Sequence, residues 1–152
     1  MSNIIIQDPA IVELTVNDLD NTVELNITDA LSLNDTVSLE AGELIQSHHA
    51  LYVSFSSTPK VFTLKNINAH KQYVHLFCGV SLNSAAQGEI VKFKNLGVIE
   101  DPSFNYNASS GLYIAADGKM TEVNTEDHFS FQIGIILTDK KVFINPKVPI
   151  LK

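Results

Sequence analysis

The residues in this chain with chemistry to offer are five histidines, one cysteine and scattered carboxylates. His48 and His49 are adjacent, so on a strand they point to opposite faces and cannot chelate one ion together. His70 and His75 lie five positions apart, the wrong phase for one strand face, and His128 is remote from both. No His-x-His or His-Glu-x-x-His spacing occurs. The expectation is structural histidines and no metal site within the chain, with an ion on a symmetry axis between subunits left open. Cys78 sits in the most apolar stretch and reads as a small buried hydrophobe. Asp18, Asp20 and Asn21 resemble a fragment of a calcium loop, but the glycine and distal glutamate are missing, so a turn is expected. His128 next to Asp127 and Glu126 has no nucleophile to activate, and neither Gly-x-Ser-x-Gly nor a glycine-rich phosphate loop is present. No catalytic residue, cofactor or enzymatic activity is expected. One cluster does suit a ligand. Phe104, Asn105, Tyr106 and Asn107 put aromatic rings beside amides, as a glycan-contact site requires.

Charge and composition narrow the function classes. The chain has 152 residues, 45% of them hydrophobic and 18% charged, the size of one compact domain or of one small domain with an attached arm. All ten basic residues are lysines, and without arginine bidentate phosphate and guanine contacts are lacking, so no nucleic-acid partner is expected. Residues 1–59 hold nine carboxylates and no lysine, whereas residues 60–152 hold ten lysines and eight carboxylates. One half therefore attracts the other, within a chain or between copies. The single cysteine excludes an intrachain disulfide. No apolar run approaches membrane-spanning length and no basic stretch precedes Ile4-Ile5-Ile6, so neither membrane insertion nor a signal peptide is expected, and synthesis in a cytoplasm is.

Apolar residues recur with period two almost throughout, which predicts strands and an all-β fold. In the first third, Val12-Glu13-Leu14-Thr15-Val16-Asn17-Asp18 is echoed by Val23-Glu24-Leu25-Asn26-Ile27-Thr28-Asp29. A second echo relates residues 19–25 to 33–39. Short strands with Asn/Asp turns fit both echoes, and units this small must stack on a neighbour to bury an apolar face. Val12, Leu14, Val16, Val23, Leu25, Ile27, Val37 and Leu39 are therefore expected in an oligomer interface. The expected organisation is an acidic β-repeat arm over residues 1–50, acting in oligomerisation, and an antiparallel β-sandwich or barrel-like domain over 51–152. Within the latter, Tyr73 to Leu82 reads as one central strand. Asp117-Gly118 reads as a hairpin turn, and Phe129, Phe131, Ile133 and Ile135 as one face of a long strand. A turn or two of helix over 29–33 or 40–48 is the only helical expectation. The tail 145–152, with two prolines, is expected to be extended at an edge.

The last third carries a resemblance. Gly111-Leu112-Tyr113-Ile114, Ala116-Asp117-Gly118-Lys119-Met120, Gln132-Ile133-Gly134-Ile135-Ile136-Leu137 and Lys141-Val142-Phe143-Ile144 together resemble small virion proteins of tailed bacteriophages. The Asp/Asn-turned repeat of residues 11–40 is similar to the short β-repeats of tail-fibre shafts. The resemblance implies a structural protein of a tail fibre or baseplate, made in the host cytoplasm and residing in the virion. It implies a homotrimer whose partners are its own copies, other virion proteins and a host-surface glycan. A capsid decoration protein and a carbohydrate-binding module using the 101–111 loop are the alternative expectations.

Overall fold

The computed structural model describes residues 2–7, 11–17, 22–28, 36–124 and 129–151. The chain is all-β and divides into two compact units, Met1–Leu33 and Asn34–Lys152.

The first unit is a three-stranded antiparallel meander of β1 (Ser2–Gln7), β2 (Ile11–Asn17) and β3 (Thr22–Thr28), in that order. Register decides its character. Ile4 pairs with Leu14 and Leu14 with Leu25; Ile6 pairs with Val12 and Val12 with Ile27; Val16 pairs with Val23. Because side chains alternate between faces with period two, these eight aliphatic residues share one face of the sheet. The opposite face takes Asn3, Glu13, Thr15, Glu24, Asn26 and Thr28 together with Ile5 and Ile11. The eleven-residue echo is thus two antiparallel neighbours whose apolar sets pair with each other.

The second unit begins earlier than the sequence suggested, at Asn34 rather than at residue 51. β4 (Thr36–Ala41) belongs not to the arm but to a closed five-stranded barrel. The others are β5 (Ala50–Phe55), β6 (Pro59–Thr63), β7 (Phe77–Ser81) and β8 (Ile90–Lys94), in the order β4-β6-β5-β7-β8. Only the β4–β6 contact is parallel. Ala41, Ile45, Leu51, Val61, Val91 and Phe93 fill the barrel, and Val37, Leu39 and Cys78 pack half-buried against them. Val37 and Leu39 are therefore part of this chain's own barrel wall, and their assignment to an intersubunit interface is withdrawn.

The barrel contains a repeat that the sequence does not show. β4, its following loop and β5 are matched by β7, its following loop and β8, forty positions later. Leu39↔Val91 and Glu40↔Ile90 correspond to Gly79↔Leu51 and Val80↔Ala50. At the centre, Ile45 N–H donates to Ala85 O at 2.8 Å and Ala85 N–H returns a bond to Ile45 O at 3.0 Å. Around them, Ala41 N–H donates to Glu89 O and Gly88 N–H to Ala41 O, while Ser81 N–H donates to His49 O and His48 N–H to Ser81 O. Even the left-handed residues correspond, His48 at φ 60° and Gly88 at φ 88°. The two halves are related by a pseudo-twofold axis through the Ile45–Ala85 pair.

Against this barrel lies a second antiparallel sheet of β9 (Gly97–Glu100), β10 (Gly111–Ile114), β11 (Met120–Thr121), β13 (Gly134–Thr138) and β14 (Lys141–Ile144), ordered β11-β10-β13-β14-β9. β12 (Phe129–Ser130) pairs with β15 (Ile150–Leu151) near the end of the chain, as the extended-tail reading anticipates. A shared core joins the two layers: Ala50, Leu64 and Val80 on the barrel side meet Leu112, Ile136 and Val142 on the sheet side. The architecture is thus a barrel capped by a sheet rather than a two-sheet sandwich.

Three sequence expectations are corrected here. Residues 71–76 form a 3-10 turn, not the first half of a central strand, and β7 is confined to 77–81. The turn is set by Tyr73, whose ring stacks on Tyr52 at 4.6 Å, and by burial of Val74. The long strand over 129–135 is interrupted. Phe131 and Ile133 are buried, but the next inward residue is Ile136, and Ile135 faces solvent. The phase slips at Gly134, where a Cβ would sit 2.2 Å from the Phe143 carbonyl oxygen, so only glycine admits the close strand approach. Residues 40–41 end β4 and residues 42–48 form bends, a bridge and a turn rather than helix, and residues 29–33 lie outside the described residues. Among the described residues no helix is long and apolar enough to cross a membrane.

Candidate functional site

The expected glycan cluster does not form an open platform. Phe104 is 5% exposed and packs in the core, with its ring 4.7 Å from His48 and 5.3 Å from Tyr106. Tyr106 is half-buried and donates its hydroxyl to Met120 O at 3.3 Å. Its hydroxyl is held above the usual tyrosine range by that burial and by the Glu122 carboxylate. Asn107 is committed to Glu122 through its N–H at 2.8 Å and its Nδ2 at 2.7 Å, leaving Asn105 exposed. Lys140 Nζ donates to Phe104 O and pins the loop from the other side. Phe104 thus plugs the core beneath a long loop and offers no glycan platform, while Tyr106 is half-buried and Asn105 and Asn107 are exposed.

The histidines are likewise dispersed. His48 lies 3.4 Å by Nε2 from Asp101 Oδ2, bridging the barrel to the loop before β10. Burial lowers its pKa, Asp101 opposes that shift, and His49 adds to it. Asp101 is itself held below the usual carboxylate range, chiefly by hydrogen bonds from Ser103 and, less, by His48. His70 and His75 are exposed, and His128, with Glu126 and Asp127, lies outside the described residues. Among the described residues no three His, Cys, Asp or Glu side chains gather as a metal site. Asp18, Asp20 and Asn21 also fall outside the described residues. The Cys78 thiol is pushed up to about 12 by burial, so it is a thiol and not a thiolate at neutral pH.

What the fold does bring together is a groove between barrel and sheet. Three segments build it: the loop 42–49, the end of β6, and the Asp117-Gly118 turn between β10 and β11. Gly118 adopts φ +92° and its Cα approaches the barrel so closely that a Cβ would meet Thr63 Cγ2 at 2.5 Å. Its carbonyl accepts Ala50 N–H at 2.8 Å, which docks the hairpin onto β5. The loop 42–49 is fixed by Ser81, whose Oγ accepts His49 N–H at 2.9 Å and donates to Gln46 O at 2.6 Å. The resulting cavity is about 400 Å³ and is lined by Glu43, Gln46, His49, Thr63, Lys65, Asp117 and Lys119. A second recess of about 340 Å³ shares Glu43, Thr63 and Lys65 with it and extends the groove to Tyr52, Asn66, His70 and Tyr73.

The polar groups alternate in sign. Glu43 Oε1 accepts Thr63 N–H at 2.9 Å and lies 3.4 Å from Lys65 Nζ. Asp117 Oδ1 accepts Lys119 N–H at 3.0 Å, with the two charged ends 3.8 Å apart. His49 is 6% exposed; its Nδ1 lies 2.9 Å from Ser47 O, so that nitrogen carries the proton, and Nε2 has no hydrogen-bond partner among the described residues. Tyr52 stacks between Phe62 at 5.6 Å and Tyr73 at 4.6 Å. Burial first, then Tyr73 and Glu43, raise the pKa of its hydroxyl. Sequence reasoning missed this groove because its members come from positions 43 to 119 with no motif spacing among them. The Asp117-Gly118 turn was the one legible part. No family model, curated protein or solved structure matches the chain.

Proposed function

We propose that the protein is a structural virion component of a tailed bacteriophage, of the tail-fibre or baseplate type, whose amino-terminal sheet joins copies of the chain. The observation that carries the reading is the eight-residue aliphatic face of the β1–β3 meander. A three-stranded sheet is one layer, and it needs a second layer to remove such a face from water. Covering eight aliphatic residues supplies on the order of 10 kcal/mol toward association, against which the lost rotational and translational freedom is set. The virion assignment is supported by the residue pattern of 111–144. That pattern corresponds to the β10–β11 hairpin with its Asp-Gly turn and to the β13–β14 hairpin.

Light scattering on the full chain tests the assembly. A mass of three times 16.7 kDa is expected, and removing residues 1–33 should give a folded monomer. An unchanged oligomer after that truncation would sink the proposal. Placement in the particle is tested by detecting the chain in purified tails. Detection on purified capsids instead would make it a decoration protein.

A further inference from the structure

We propose that the groove between the loop 42–49, β6 and the Asp117-Gly118 turn is a binding site for a neutral saccharide of two linked units. Three observations lead there. First, His49 is more than nine-tenths buried, lines the cavity, and keeps an acceptor nitrogen, Nε2, without a partner among the described residues. A buried polar atom left so costs about 1–3 kcal/mol, which a ligand donor removes. Second, the rim presents two carboxylates, Glu43 and Asp117, and two ammonium groups, Lys65 and Lys119. The charges cancel, which suits neither a phosphate nor a cation. Alternating donors and acceptors match hydroxyl groups, each of which both donates and accepts. Third, the groove continues into a recess of mixed polar and aromatic lining, where Asn66 and His70 join Tyr52 and Tyr73 and add hydrogen-bonding groups for a second ring. The volumes of about 400 and 340 Å³ each accommodate one ring.

The site is separate from the 101–111 loop and does not depend on the assembly reading. A chain found to be monomeric leaves the binding expectation as it stands. The test uses the full chain on an array of neutral and acidic oligosaccharides, followed by titration with a retained neutral disaccharide. Retention of a neutral saccharide is expected, with a shift of the His49 Nε2 nitrogen resonance on saturation. Lys119→Ala and Asp117→Asn should each weaken binding about tenfold or more, since each removes a charge-assisted hydrogen bond. Asp117→Asn retains an oxygen for the Lys119 N–H, and the thermal transition of both variants checks that the hairpin is intact. Asn105→Ala, in the loop, should bind as the parent does. Retention of acidic sugars alone, no retention at all, or undiminished binding by both groove variants would overturn the proposal.

Discussion

His48 shows how much a single side chain depends on its setting. It occupies the left-handed region, lies on Phe104 and faces Asp101, so it ties the barrel to the cap. Its folded pKa is below 6.5, which means the unfolded chain binds more protons as the pH falls through that value. The contribution of His48 to stability is therefore fully present above about pH 6.5 and declines on acidification, at no more than about 1.4 kcal/mol per pH unit. Thermal unfolding between pH 7.5 and 5 should show this slope, and His48→Asn, which tolerates the same backbone, should flatten it. Asp101→Asn should steepen it, because the attraction that opposes the shift is then lost. Cys78 offers a second check at this scale. With its thiol pushed up to about 12, reaction with a disulfide reagent at pH 8 should be slow in the folded chain and become fast only in denaturant. The sequence placed Cys78 correctly among apolar neighbours. It misplaced Phe104, since an aromatic within an Asn/Ser-rich loop looks the same whether it faces solvent or plugs the core.

At the scale of elements, four of the barrel's five strands form two copies of one strand–loop–strand unit, with β6 outside the repeat, yet no residue of 36–55 equals its counterpart in 76–95. What is preserved is backbone pairing, which main-chain groups make whatever the side chains. The axis shows how size is shared: Ile45 is fully buried and its partner Ala85 is small. Ile45→Ala should cost about 2–5 kcal/mol and Ala85→Ile about 1–3 kcal/mol, the first by a cavity and the second by crowding. The exchange of both should cost less than the sum, and urea denaturation of the four chains measures the coupling. Gly134→Ala presses a methyl onto the Phe143 carbonyl and should destabilise by about 1–3 kcal/mol or more in the same assay. The phase slip at this glycine explains why alternation over 129–135 misled. Period two holds only while the strand runs unbroken.

For the whole molecule, the division at residue 33 makes a strong statement about folding. Residues 34–152 contain the closed barrel, the cap and the core between them. That fragment should unfold with a midpoint within a few degrees of the full chain's highest transition by calorimetry. If association runs through the aliphatic face of β1–β3, it should persist at 1 M salt, where the attraction between the acidic first half and the lysine-bearing second half is screened to about 3 Å. Leu14→Asp, placing a charge at the centre of that face, should dissociate the oligomer while leaving the 34–152 transition in place.

By itself the sequence determined what local periodicity and turn chemistry can carry. The alternation of residues 12–27 marked one apolar face, and the pairing of β2 with β3 places those six residues there. Asp117-Gly118 named its own hairpin, and the absence of helical period excluded every class but all-β. Tertiary structure alone decided the closure of the barrel, including the parallel contact of β4 with β6 and the capture of Val37 and Leu39 into its wall. It alone gathered Glu43, His49, Lys65 and Asp117 around one groove. The physical reason is range. Side-chain alternation and turn preference are set by neighbours a few residues away. Ring closure and site assembly depend on backbone hydrogen bonds and burial between segments dozens of residues apart, which leave no periodic trace in either segment.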